Sequence, residues 1–352
     1  MNANTLIITL KSISSDSNKN STLNSIIHCL NDIDWQQVGK IIHCYSSDSY
    51  KVEALGVICS NNKMNEILCK ILLSNIIVYI VRLISSDSYK CAAIKILSKY
   101  TNGENGRILV DVISAISSDS YKIEAIKNLA NVCVDQSHLS LIIDEISSDS
   151  YKSSAISYLI NRINNISESN LIKIIKNISS DSYKIQVIGF FQNKIDCNYN
   201  IMLNVTRNIS SDSYKLQALN FFTNKGLTIT YNELLELLNT FSSNSAKCNC
   251  LLSFKTFKGE ILDQENFCKT LAKEINDEKL YLQSAKHLSL NQEYVEIYKP
   301  KKTVTDFNFD EDDEFDNLEG IVCVSSIARD GKITTTKTYS NGSVIKIIRT
   351  LN

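Results

Sequence analysis

Apolar residues recur along the chain at i, i+3, i+4 and i+7, the spacing of a helix with one buried face. Ile108-Leu109-Val110-Asp111-Val112-Ile113-Ser114-Ala115-Ile116 and Leu171-Ile172-Lys173-Ile174-Ile175-Lys176-Asn177-Ile178 show the pattern most plainly. Each such stretch runs into a polar Ser/Asp cluster. A second helical stretch then follows, as in Tyr121-Lys122-Ile123-Glu124-Ala125-Ile126-Lys127-Asn128-Leu129. The cluster breaks one helix and starts the next, because Asp or Ser at an N-cap accepts from the first free N–H groups, worth about 1 kcal/mol. Four residues after the tyrosine comes a small residue in five units, Ala54, Ala93, Ala125, Ala155 or Ala218. That places it on the tyrosine's face of the helix.

The clusters are copies of one string. Ser-Ser-Asp-Ser-Tyr-Lys occurs six times, with aspartates at Asp48, Asp87, Asp119, Asp149, Asp181 and Asp212. A degenerate copy precedes them at Ser14-Ser15-Asp16-Ser17-Asn18-Lys19, and another follows at Ser242-Ser243-Asn244-Ser245-Ala246-Lys247. A fainter ninth lies at Asn276-Asp277-Glu278-Lys279-Leu280-Tyr281. From Asp16 to Asn244 the steps are 32, 39, 32, 30, 32, 31 and 32 residues. A single helix pair cannot bury its apolar face alone, whereas stacked pairs can. The pattern therefore predicts an all-α solenoid of about eight to nine helix–turn–helix repeats over residues 1–290, with a period of about 32.

Past residue 290 the pattern changes. Residues 291–319 read as an acidic linker containing Pro300 and the run Asp306-Phe307-Asn308-Phe309-Asp310-Glu311-Asp312-Asp313-Glu314-Phe315-Asp316. Like charges in such a run repel one another. Phe307, Phe309 and Phe315 are candidate anchors of a docking tail that orders on binding. Residues 320–352 alternate in β fashion around Asp330-Gly331 and Asn341-Gly342, which predicts a small three-stranded meander. So small a sheet is marginal alone, and it is expected to pack on a partner, a second copy or the array.

Composition supports helices. The 352 residues include one proline and 10 glycines, too few for the turns of a large sandwich or barrel. Charge is balanced, at −1 overall, with 30 Lys and Arg against 29 Asp and Glu in residues 1–299. A nucleic-acid binder normally carries a basic excess, so none is expected as partner. The N-terminal stretch has no basic region ahead of an apolar run, and no 18-residue apolar segment occurs, so no leader and no membrane span are expected. Eleven scattered cysteines suit a reducing, cytoplasmic setting. His28-Cys29 and His43-Cys44 resemble metal ligands, but adjacent helix residues diverge by about 100° and do not converge on one ion. They read as helix residues. His28, His43, His138 and His287 are far apart in sequence, and no phosphate loop, nucleophile elbow or zinc-protease pair occurs. No metal, cofactor or catalytic group is expected.

An N-cap needs one suitable residue, yet six are retained while the sequence between motifs diverges. Two explanations follow. In the first, neighbouring motifs touch, with Asp48, Asp87, Asp119, Asp149, Asp181 and Asp212 pairing with Lys51, Lys90, Lys122, Lys152, Lys184 and Lys215. Tyr50, Tyr89, Tyr121, Tyr151, Tyr183 and Tyr214 would then stack in a row. In the second, the row is a surface read by a partner. The terminal copies lose the tyrosine, as Asn18 and Ala246, which favours the internal ladder because end units lack a neighbour. On the ladder reading, an Asp16 substitution costs less than one at Asp149.

The Ser-Asp-x-x-Lys string at a helix start resembles uncharacterised helical repeat domains of unknown function. The resemblance covers roughly residues 1–290; it implies a helical fold and no particular activity. The functional expectation is a non-enzymatic scaffold with a protein partner. The alternative is a structural assembly component, a particle or filament subunit, self-associating through residues 320–352.

Overall fold

The computed structural model describes residues 1–69, 76–101, 105–130, 132–300, 321–329, 332–339 and 344–350. The chain divides into two compact units, Met1–Glu260 and Ile261–Asn352. Phe307, Phe309 and Phe315, the candidate docking anchors, lie outside the described residues, as do the Asp330-Gly331 and Asn341-Gly342 turns.

In the first unit each repeat is a leading helix followed by a motif helix. The leading helices are Ala3–Ser12, Trp35–Ile42, Ile76–Arg82, Gly106–Ser114, Gln136–Asp144, Glu168–Lys176, Tyr199–Arg207 and Tyr231–Leu238. The motif helices are Asp16–Ile26, Asp48–Ser60, Asp87–Leu97, Asp119–Asn128, Asp149–Leu159, Asp181–Phe191, Asp212–Thr223 and Asn244–Leu252. Every motif helix packs on the motif helix of the next repeat, and the leading helices stack likewise from the first through the seventh. The result is two layers of helices with consecutive packing. The 39-residue step is accounted for by an additional helix, Asn62–Leu68, after the second motif helix.

The core follows the helical period. Seven residues after the motif aspartate or its equivalent stand Leu23, Leu55, Ile94, Ile126, Ile156, Ile188, Leu219 and Leu251, all fully buried. Ala54, Ala93, Ala125, Ala155 and Ala218 are fully buried too, where a small side chain lets neighbouring helices approach. Just before the serine pair of the second to eighth repeats sits a buried large residue: Tyr45, Ile84, Ile116, Ile146, Ile178, Ile209 or Phe241. These residues close the core beneath the turn. Two short strands, Ile229–Thr230 and Phe257–Lys258, pair in parallel near the end of this unit.

The second unit contains helices Gln264–Glu274, Glu278–His287 and Gln292–Tyr298. Asp277, in the faint ninth motif, accepts from the Leu280 N–H as an ordinary N-cap. The backbone is extended over Ile321–Arg329, Lys332–Tyr339 and Val344–Thr350, and these segments pair antiparallel in that order.

Candidate functional site

The motif builds the same device at seven junctions. Its aspartate is the first residue of each motif helix, and the serine before it is the N-cap. The expectation that Ser or Asp caps its own helix is corrected here, because the side chains of these N-cap serines make no capping bond. In the six intact motifs the N-cap serine hydroxyl instead pairs with the hydroxyl of the serine two residues on, as in Ser47 with Ser49 at 2.8 Å and Ser86 with Ser88 at 2.9 Å. The same pair recurs at Ser118–Ser120, Ser148–Ser150, Ser180–Ser182 and Ser211–Ser213.

The carboxylate reaches forward to the next repeat. Asp48 Oδ2 accepts from the backbone N–H of Ser85 at 2.9 Å and of Ser86 at 2.8 Å. Asp87 accepts from Ser117 and Ser118 at the same two distances. Asp16 holds Ser46 and Ser47, Asp119 holds Ser147 and Ser148, and Asp149 holds Ser179 and Ser180. Asp181 holds Ser210 and Ser211, and Asp212 holds Ser242 and Ser243. These donors belong to the turn that opens the next motif helix. One carboxylate therefore sits at two helix N-termini, where the dipoles favour negative charge.

The lysine completes the clamp. Lys51 Nζ lies 3.0 Å from Asp48 Oδ1 and donates to the Leu83 carbonyl at 2.7 Å. Lys90 pairs with Asp87 at 2.9 Å and donates to Ala115 O at 2.7 Å. Lys19 reaches Cys44 O and Lys184 reaches Asn208 O, each at 2.7 Å, and each also pairs with its own aspartate. Lys122, Lys152 and Lys215 donate to the carbonyls of Glu145, Asn177 and Thr240, with their aspartates at 3.5, 3.9 and 3.7 Å. Those carbonyls end the next leading helix, the terminus whose dipole favours a cation and whose acceptors lack intrahelical donors. The lysine side chains are only 7–11% exposed and the aspartates 9–18%. Withdrawing such charges from water costs several kcal/mol per ion unless each is paired and hydrogen-bonded, and here each is.

The charge pairs thus lie inside each repeat, while the bonds across the junction go to backbone, joined at Lys152 by the Asn177 side-chain oxygen at 2.7 Å. At Asp16, Asp48, Asp87, Asp181 and Asp212, burial pushes the carboxyl pKa up. The serine N–H donors and the motif lysine outweigh it, and the carboxyl sits below its ordinary value.

Two expectations change. Asp16 was expected to matter less than Asp149 because the first repeat has one neighbour. The bonds run only forward, so Asp16 holds a full set, and the reason for that ranking disappears. The tyrosines were expected to stack. Stacked motif helices are about 8–10 Å apart, wider than the roughly 4.5–7 Å of an aromatic pair. Among the described residues the six motif tyrosines make neither ring contacts nor hydroxyl hydrogen bonds. They are partly covered, and Tyr89 and Tyr151, the most open, are 40% and 38% exposed.

A second set of cations, missed in the sequence, ties the opposite end of the motif helices. Lys99 donates to Cys59 O at 3.0 Å and Arg162 to Leu129 O at 3.4 Å. Lys194 donates to Ile163 O, Lys225 to Gln192 O, and Lys63 to Leu30 O. These bonds run backward, to the preceding repeat. The signal was a Lys or Arg nine or ten residues after the motif lysine, at Lys99, Arg162, Lys194 and Lys225.

The other candidate groups fall elsewhere. His28, Cys29 and His43 are exposed, and Cys59, Cys91, Cys248, Cys250 and Cys268 are buried. Among the described residues no group of three His, Cys, Asp or Glu could hold a metal ion. His138 packs beside Asp135, which caps its helix through the N–H groups of Ser137 and His138. No helix among the described residues is long and apolar enough to cross a membrane.

A family model described as a domain of unknown function, DUF4476, matches residues 69–159 and 196–283, together about half of the chain. The first segment holds the motifs of Asp87, Asp119 and Asp149, and the second that of Asp212. No curated protein matches the sequence. Among solved structures, one described under the computational design of self-assembling cyclic protein homo-oligomers is similar over 84% of this chain and 95% of its own. Its identity is 13% and its TM-score 0.13, too low to support an argument.

Proposed function

The chain belongs to the DUF4476 family of domains of unknown function, and from the clamp repeated at its junctions we propose that it is a non-enzymatic protein-interaction scaffold. Its first unit is read as an α-solenoid of eight helix pairs. The Ser-Asp-x-x-Lys string is read as the part that holds successive pairs in register. The observation that carries the proposal is the reach of Asp48 to Ser85 and Ser86, repeated from Asp16 to Asp212. The bonds of this device end on backbone or inside the motif, apart from that of Lys152 to the Asn177 side chain. The remaining side chains are then free to vary, as they do between repeats, and an array fixed in this way presents them to a protein partner along a continuous surface.

The alternative is a structural assembly component joined through the C-terminal strands, read as a meander. Its basis is that so small a sheet needs something to pack on. Light scattering after size exclusion, with affinity purification of the tagged chain from its native host, separates the two. A monomer that captures a foreign protein in fixed stoichiometry is the result the scaffold requires. A species whose mass grows with concentration, with no foreign protein captured, would favour assembly.

A further inference from the structure

Seven motif turns are held by the repeat before them, and the first is not. The exposed N–H groups of Ser14 and Ser15 make no hydrogen bond among the described residues, and the Ser12 carbonyl, which ends the first leading helix, accepts none. In each of the next seven repeats the equivalent N–H pair holds an aspartate, as Ser46 and Ser47 hold Asp16 at 2.9 and 2.8 Å. The equivalent carbonyl there holds a lysine, as Cys44 O holds Lys19 at 2.7 Å. The first repeat therefore presents one half of a clamp whose other half is seen seven times in the same molecule.

An independent feature marks the same face. The residue six places before the serine pair meets the preceding repeat. Tyr79 lies against Gly39, Lys173 pairs with Asp144 at 2.8 Å, Asn204 donates to Glu168 at 2.6 Å, and Glu236 pairs with Arg207 at 2.9 Å. In the first repeat that place belongs to Ile8, an apolar side chain 71% exposed. On the motif helix, Asn18 and Ser21 are exposed at the places where Tyr121 O and Gln186 take bonds from the repeat before them. Both are uncharged. Residues 1–30 contain one acid, Asp16, already engaged with Ser46 and Ser47, against Lys11 and Lys19. No unpaired acid of this repeat opposes an incoming carboxylate.

We infer that this face docks the last repeat of a different helical-repeat protein, one with an unengaged Asp-x-x-Lys pair at the start of its final helix. The inference rests on the scaffold reading and names a partner's chemistry for it. The partner's aspartate accepts from the Ser14 and Ser15 N–H groups, at a helix N-terminus that favours the charge. Its lysine donates to the Ser12 carbonyl, and its leading helix covers Ile8. A second copy of this chain does not supply the pair. Its seven motif aspartates each hold the next repeat, and the eighth motif has Asn244 in that place. Asp277, in the faint ninth, is followed by Leu280 where a lysine is needed.

The test titrates the full chain, isotope-labelled for NMR, with two probes that end in a free clamp. One is this chain ended after Thr228 and carrying Ile8→Glu. Its Asp212 and Lys215 have lost the Ser242 and Ser243 N–H groups and the Thr240 carbonyl. The other, which needs no fold of its own, is a peptide of residues 210–228 taken to millimolar concentration. Both should shift the Ser14 and Ser15 amides downfield, and Asp212→Asn in either probe should weaken the effect by about tenfold or more. In the full chain, Ser15→Pro removes one donor. The Ser15 φ of −84° is close to that of proline, and its N–H has no partner to lose, so the urea midpoint should hold while binding disappears. Ile8→Glu should weaken binding as well. Shifts absent with both probes, or unchanged by Asp212→Asn, would overturn the inference. The scaffold reading fails on a different readout, the absence of any captured protein in the affinity purification.

Discussion

The ammonium of Lys51 lies 2.7 Å from the carbonyl oxygen of Leu83, in the next repeat, while it pairs with Asp48 of its own helix at 3.0 Å. Both charged side chains are nearly buried, at 11% and 14% exposure. Lys51→Met would leave Asp48 without its counter-charge and Leu83 without its donor. Breaking one side of such a pair should cost about 3 kcal/mol, read as a lower urea midpoint with an unchanged slope. A loss below about 0.5 kcal/mol, the size of an exposed pair, would show that the clamp contributes nothing at this junction.

Acid should open the junctions. At five of the clamps the folded carboxyl lies below its ordinary value. A group depressed in the folded state stabilises the fold above its unfolded value, about 3.9 for Asp. That stabilisation is lost as pH falls through the lower folded value. The thermal midpoint should therefore hold steady from about pH 7 to 5 and drop steeply below about pH 4. Asp87→Asn, with one linked carboxyl removed, should flatten that drop. A midpoint indifferent to acid would contradict the assignment.

Two helical glycines allow close approaches of different kinds. A Cβ at Gly106 would stand 2.6 Å from the Cys133 carbonyl oxygen, a backbone atom with little room to move. At Gly39 it would stand 2.7 Å from a ring carbon of Tyr79, a side chain 42% exposed that can swing toward solvent. Alanine also gains about 1 kcal/mol over glycine inside a helix. Gly39→Ala should be close to neutral. Gly106→Ala should lose about 1–3 kcal/mol from overpacking. Thermal melts of the two variants should rank them in that order, and the reverse ranking would show that the backbone around Cys133 yields more easily than the tyrosine.

Residues 1–260 form a compact unit with all seven clamps inside it. A chain ended after Glu260 should keep its helical circular-dichroism signal and melt cooperatively. A non-cooperative melt would mean that the second unit is needed to hold the array.

Much of this was legible because the helices obey a strict spacing. Leu55, Ile94 and Ile126 stand seven residues after their aspartates and are fully buried, as an apolar residue two turns into an amphipathic helix should be. The serine cluster marked each helix start, although the side chains of the seven clamp serines make no capping bond there. The partners of the motif were not legible. Asp87 bonds to the N–H groups of Ser117 and Ser118, and every residue but proline carries that donor, so sequence gives no sign of which one is used. The loss of the tyrosine at Asn18 and Ala246 was readable as a change, but it suggested weakness at both ends of the array. Only the forward direction of the bonds shows that Asp16 is fully engaged. Lys99 and Arg162 escaped notice because their targets are carbonyls and their distance from the motif lysine differs by a residue.

That direction is the central claim, and amide hydrogen exchange in Asp87→Ala tests it most directly. Asp87 holds the N–H groups of Ser117 and Ser118, whereas those of Ser85 and Ser86, beside it in sequence, are held by Asp48. Native-state exchange followed by NMR should show Ser117 and Ser118 losing protection in the variant, with Ser85 and Ser86 nearly unchanged. Loss of protection at Ser85 and Ser86 instead, or no change at Ser117 and Ser118, would contradict a clamp that runs from each repeat to the next.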